Sequence, residues 1–190
     1  PLTDTEMLDL VQEETFKYFW DYANTESGAA RERYHVDNPS LNANVVTTGG
    51  SGFGLMAILV GIERGYVTRT EAVTRLNTIL DFFENADRFH GAWSHWIDGG
   101  TGNVLPFSAE DNGGDLVETA FLAQGLICIK EYFKNGTTEE QALATQADNL
   151  WKGIEWDWYT QNQNTLYWHW SPSNDYSINL ELKGYHEKLI

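Results

Sequence analysis

Val45-Val46-Thr47-Thr48-Gly49-Gly50-Ser51-Gly52-Phe53-Gly54-Leu55-Met56-Ala57-Ile58-Leu59-Val60-Gly61-Ile62 runs for eighteen residues without a charge. That length reaches the lower limit for a membrane span. Five glycines, with Thr47, Thr48 and Ser51, make its first half too polar and pliant for one. The stretch reads instead as a short helix near residues 50–64, enclosed on all sides and packed closely through its glycines. A second such helix is expected near 115–133, where Thr119 to Ile129 carry no charge on any face.

Helices of another kind flank these two. Residues 5–23 place Leu8, Val11, Thr15, Phe19 and Tyr22 at helical spacing, with Glu6, Asp9 and Glu13 among the polar remainder. Residues 70–85 repeat the pattern with Val73, Leu76, Leu80 and Phe83, and residues 138–155 with Leu143, Ala147, Leu150 and Ile154. Thr3-x-x-Glu6, Thr68-x-x-Glu71 and Thr137-x-x-Glu140 set a capping box before each. The order is outer, inner, outer, inner, outer, with another inner segment starting near Gly184.

The outer-to-inner links run about 20 to 28 residues and the inner-to-outer links only about 4 to 6, so the long loops gather at one end, where function concentrates. Two should hold β-hairpins: Trp93 to Ile97 turning at Asp98-Gly99-Gly100, and Trp156 to Tyr159 returning through Leu166 to Trp170. Alternating solvent-facing and buried helices describe an all-α architecture, a toroid of helical hairpins. Of such a ring this chain supplies about half.

Composition narrows the partners. The 190 residues are 42% hydrophobic and 14% aromatic, too apolar for a disordered tail. Twelve Lys and Arg against 28 Asp and Glu give a charge of -16, which repels phosphate backbones and anionic lipid. No nucleic acid and no membrane span are expected. The lone Cys128 cannot form an internal disulfide and reads as a small buried hydrophobe. Pro1 to Asp4 has neither a basic region nor an apolar stretch, so an export signal is expected to be removed or never present.

Glu110-Asp111-Asn112-Gly113-Gly114-Asp115-Leu116-Val117-Glu118 puts four acids at the start of an uncharged helix. Inner helices point their amides and positive dipole ends toward the long-loop mouth. Asp115 and Glu118 share a helix face, although Asp115 can equally be a helix cap. Glu118 opens a buried helix, where a carboxylate needs a partner, a watered cavity or a raised pKa. Trp93, Trp96, Trp156, Trp158, Trp168 and Trp170 lie in or beside the long loops. Flat rings plus acids suit a sugar, and glycosidic cleavage needs one protonated and one ionised carboxyl; hairpin packing is the alternative for each Trp. Arg31 and Arg33 either hold an acid in place or tie down a loop. The five histidines show no metal-ligand spacing, and neither a phosphate loop nor a nucleophile elbow is present, so no metal or cofactor is expected. Asp98 to Asn103 reads as a turn.

Several motifs in one order resemble a known family: Gly28 to Arg33, Thr47 to Gly54, Val60 to Gly65, Arg88 to Trp93, Gly113 to Ala120, Trp156 to Tyr159, Leu166 to Pro172 and Gly184 to Glu187. They are similar to the bacterial glucoamylase-like family that includes endo-β-1,2-glucanases. The resemblance implies an (α/α)6 toroid with residues 1–190 as the N-terminal half of one domain. It further implies inverting hydrolysis of β-linked glucan without a metal, in the periplasm or at the cell surface. Carried over by motif, Asp111, Asp115, Glu118 and Glu187 are the candidate catalytic and subsite carboxylates. Arg31, Arg33, Trp93, His95, Trp96, Trp168 and Trp170 are the candidate binding positions. His186 stands where the family usually has Asn, which bears on how Glu187 is oriented. A half toroid would expose apolar helices and be open to self-association. A non-catalytic glucan-binding module and a purely structural helical array are the competing readings.

Overall fold

Thr3, Thr68 and Thr137 each accept the N–H of the glutamate three residues on, and that glutamate accepts the threonine N–H in return. These reciprocal caps start α1 (Asp4–Trp20), α3 (Arg69–Asn85) and α5 (Thr138–Lys152). Between them run the apolar helices α2 (Thr48–Arg64) and α4 (Leu116–Phe133). The computed structural model describes residues 1–184. The expected inner segment after Gly184, with His186 and Glu187, lies outside the described residues.

α2 lies along α4 in the most extensive helix contact, with α5 packed on α4, α3 on α2 and α5, and α1 on α2. The close approach rests on small residues: a Cβ on Gly52 would come 2.2 Å from the Phe121 carbonyl oxygen. Leu55, Ile58, Leu76, Leu80, Phe83, Leu122, Leu126 and Phe133 fill the core. Residues 65–68 and 134–137 join inner to outer helices, and the long connections precede α2 and α4, as their spacing implies. No described helix is long and apolar enough to cross a membrane.

Two expectations about burial fail in the same way. α2 and α4 are not enclosed on every side, since Phe53, Val60 and Ile127 are exposed and Cys128 is half-buried. The stripe of α1 does not face the core either. Leu8 is 70% exposed, Val11 and Thr15 are also exposed, and Phe16 is the buried residue of that helix, against Trp20 and Tyr66. Leu8, Val11, Phe16, Ala57 and Val60 line an apolar groove of about 450 Å³ between α1 and α2. The physical reason is shared: among the described residues no element packs over these faces, so helical periodicity marks an apolar side without supplying its cover.

Small sheets organise the long loops. β1 (Val45–Thr47), β2 (Trp96–Asp98) and β3 (Val104–Leu105) form an antiparallel sheet in that order, with Val46 opposite Ile97 and Ile97 opposite Val104. The first expected hairpin is thus present as β2–β3. Asp98 closes its turn by accepting the N–H groups of Gly100 and Thr101. The second is not. Trp158–Thr160 form a 3-10 turn, and β5 (His169–Trp170) pairs instead with β4 (Gly114–Asp115), residues that sequence pattern assigned to a helix start. A strand so short has no periodicity of its own; the partner across the sheet decides it.

Candidate functional site

The N-termini of α2 and α4 meet at the long-loop end. Asp115 is the N-cap of α4: its Oδ1 accepts the N–H groups of Val117 at 2.9 Å and Glu118 at 3.0 Å. Its own N–H donates to the Trp93 carbonyl at 2.8 Å, and the Leu116 N–H to that of Trp168 at 2.7 Å. The acidic turn is therefore clamped between the loops before α4 and after α5. Glu118 does not complete a capping box. Its Oε2 accepts the Gly49 N–H at 2.8 Å, at the start of α2.

Asp111 is enclosed at 3% exposure and Asp115 at 1%, whereas Glu118 is half-buried. Neither oxygen of Asp111 takes a hydrogen bond. Burial, reinforced by the Asp115 charge, pushes Asp111 up to about 6. Burial also raises Glu118, with Asp115 adding to it, while His95 and the Gly49 N–H act the other way. His95 Nδ1 lies 3.3 Å from Asp115 Oδ2. Burial would lower the imidazole, but Asp115, Glu118 and Asp111 outweigh it and hold its pKa above the ordinary value. The ring stacks on Phe107 at 4.6 Å and 16°, with Trp96 edge-on to Phe107.

Behind this group His169 is fully buried, and its Nε2 accepts the Gly113 N–H at 3.0 Å. That nitrogen carries no proton, so the ring is neutral, and burial lowers its pKa accordingly. His95, Asp111 and Asp115 each bring a donor atom within 4.8 Å of the other two. An imidazole beside a carboxylate accounts for that closeness, and we assign no ion to it.

The other binding candidates divide. Trp93 is fully buried against Phe83, donates its Nε1–H to the Phe83 carbonyl and has Arg88 over its ring. It is a core residue and cannot meet a ligand, which corrects the sequence expectation: a loop tryptophan beside a helix start can be drawn inward by an available backbone acceptor. Trp168 is half-buried on a small cluster with Leu116 and Tyr159. Trp96 and Trp170 are half-buried, and Trp170 meets Trp158 edge-on while Trp158 stacks on His90 at 3.5 Å. Arg31 is buried, donates to the Leu41 carbonyl and lies over Tyr34, so it ties down its own loop. Arg33 pairs with the adjacent Glu32 at the surface. Neither arginine is paired with a carboxylate of the site.

Gly49, Phe107, His90 and His169 are absent from the sequence-derived site. His169 had a signal: alternation in Trp168-His169-Trp170 turns it away from the tryptophans. Gly49 lies in the glycine run at an inner-helix start, whose amides were expected to face the mouth.

No protein-family model matches the chain. It is 49% identical over 193 residues to an exo β-1,2-glucooligosaccharide sophorohydrolase (non-reducing end) of Parabacteroides distasonis, a match covering 100% of this chain and 26% of that protein. Its fold matches the endo-β-1,2-glucanase of Chitinophaga pinensis, solved with sophorotriose and glucose, at a TM-score of 0.95 and 55% identity, over 97% of this chain and 45% of that one. A glucoamylase-like protein of Bacteroides caccae matches at a TM-score of 0.93 and 55% identity, over 96% and 45%. The chain thus spans from about a quarter to somewhat under half the length of these relatives. The class they define is the helical, glucoamylase-like proteins of (α/α)6 toroid type. The chain is similar to part of each of these proteins, two of which are named for action on β-1,2-linked glucan or its oligosaccharides.

Proposed function

We propose that the protein carrying this chain hydrolyses β-1,2-linked glucan by acid and base catalysis, and that this chain contributes one wall of the active site. The observation that carries the reading is the joint placement of Asp111, Asp115, Glu118 and His95 where α2 and α4 begin, two of the carboxyls being raised by burial. Glu118, half-buried and anchored by Gly49, is the described carboxyl placed to meet a sugar. Asp111 and Asp115 lie beneath it and act through it and His95. Their nearest oxygens lie within 4.8 Å, too close to seat a water across a sugar ring, where an inverting pair needs about 6.5–9.5 Å. Asp111 and Asp115 are therefore not such a pair with each other, and Glu187 is the candidate in this sequence for the carboxyl opposing Glu118. Exposed Trp158 and Phe107, with half-buried Trp96 and Trp170, are the rings available to stack on pyranoses.

The test is release of new reducing ends from β-1,2-glucan by the whole protein. Glu118→Gln and Glu187→Gln should each lower turnover by roughly 10²–10⁴-fold. Full turnover in both variants refutes the site, and saturable binding without new reducing ends would make the protein a glucan-binding module. Since polymeric glucan does not cross a cytoplasmic membrane unaided, the same reading puts the protein in the periplasm or at the cell surface, which cell fractionation checks. Exposed Leu8, Val11, Phe53 and Ile127 lead us to expect that the 190-residue chain by itself self-associates, as sedimentation would show.

A further inference from the structure

His95 is the partly exposed neighbour of the buried carboxylates Asp111 and Asp115. Its side chain is 26% exposed, while the Asp115 side chain it faces is 1% exposed. The ring can turn only one nitrogen to that carboxylate, and it is Nδ1, at 3.3 Å. Nδ1 is enclosed and makes no hydrogen bond, so its contact with Asp115 is an ion pair rather than an aligned hydrogen bond, and the exposed part of the ring carries Nε2. Phe107, stacked at 4.6 Å, fixes the ring plane, and Trp96 packs edge-on at 6.0 Å. The charged groups facing the ring are Asp115 in β4, Glu118 on the first turn of α4 and Asp111 in the preceding turn. None is a cation. His169, across Asp111, is held neutral by the Gly113 N–H and so adds no competing positive charge.

We infer that His95 works as an imidazolium that pairs through Nδ1 with the Asp115 carboxylate and presents its Nε2–H to a glucan oxygen as a hydrogen-bond donor. A charge-assisted donor beside ring faces gives a sugar hydroxyl or ring oxygen a stronger and more directional anchor than a neutral amide would. Asp115 is then a positioning residue twice over, capping α4 through Oδ1 and orienting His95 through Oδ2. Deprotonation of His95 withdraws the charge, so substrate affinity falls as pH rises through its pKa. The identity of the ligand rests on the glucan reading above; the imidazolium and its ion pair do not.

The experiment follows the imidazole of His95 by NMR in the whole protein with labelled histidine, assigned by its loss in His95→Gln, alongside KM and kcat against pH. His95 should titrate above the ordinary 6.5, and Asp115→Asn, which keeps a helix-capping side chain, should bring it down. In the native protein KM should rise about tenfold per pH unit above that pKa with kcat less affected, and His95→Gln should flatten this alkaline rise. Titration at or below 6.5, or an unchanged profile in His95→Gln, overturns the inference. Titration is read without substrate, so a failure of the glucan reading leaves the ion-pair result intact and separately legible.

Discussion

Glu118 Oε2 accepts the Gly49 N–H at 2.8 Å, so the first-turn carboxylate of one inner helix closes the N-terminus of the other. The positive end of α2 offsets part of the burial that raises this carboxyl. A Cβ at position 49 would meet Glu118 Oε2 at 2.8 Å. Gly49→Ala should therefore displace the carboxylate and lower turnover of the whole protein about 10²-fold, the scale of a 1 Å misplacement. Steady-state kinetics at unchanged thermal stability would verify it.

Gly52 marks the closest approach of α2 to α4, and the atom an added methyl would strike is a backbone oxygen at 2.2 Å, which cannot swing aside. Gly52→Ala should cost about 3 kcal/mol or more, at or beyond the upper range for overpacking. Urea unfolding measures it.

Two tryptophans separate stability from recognition. Trp93→Ala removes a fully buried ring and its hydrogen bond to Phe83, and should cost about 3–5 kcal/mol. Trp158→Ala removes an exposed ring stacked on His90 and should change stability by under about 1 kcal/mol while weakening glucan binding. Denaturation and oligosaccharide titration, run side by side, distinguish the two.

The raised Asp111 carries a pH dependence of definite sign. Its folded pKa, about 6 against an ordinary 3.8, means that the native state binds this proton more tightly than the unfolded chain. Asp111 therefore favours folding below pH 4 relative to higher pH, and that advantage is lost as pH rises through about 6. Asp111→Asn should be more stable than the native protein at pH 7.5, by up to about 3 kcal/mol, with the gain vanishing near pH 4. Unfolding at the two pH values tests the slope.

Local readings held where the physics is local. The capping boxes at Thr3, Thr68 and Thr137 form as their spacing implies, because each is closed within one turn. The pKa of Glu118 is raised, one of the outcomes expected of a carboxylate opening an apolar helix. Exposed Leu8 and buried Trp93 went the other way. Spacing identifies which side chains are apolar, but whether something covers them depends on elements far along the chain.

Helix positions, their caps and the acidic turn were written into the amino-acid order, since periodicity and capping act over three or four residues. Tertiary packing alone decided that Glu118 meets Gly49, 69 residues earlier, that His95 rests on Asp115, and that His169 lies buried behind Asp111. Those contacts arise from the alignment of α2 with α4 and the pairing of β4 with β5, and such long-range register leaves no periodic trace in either partner.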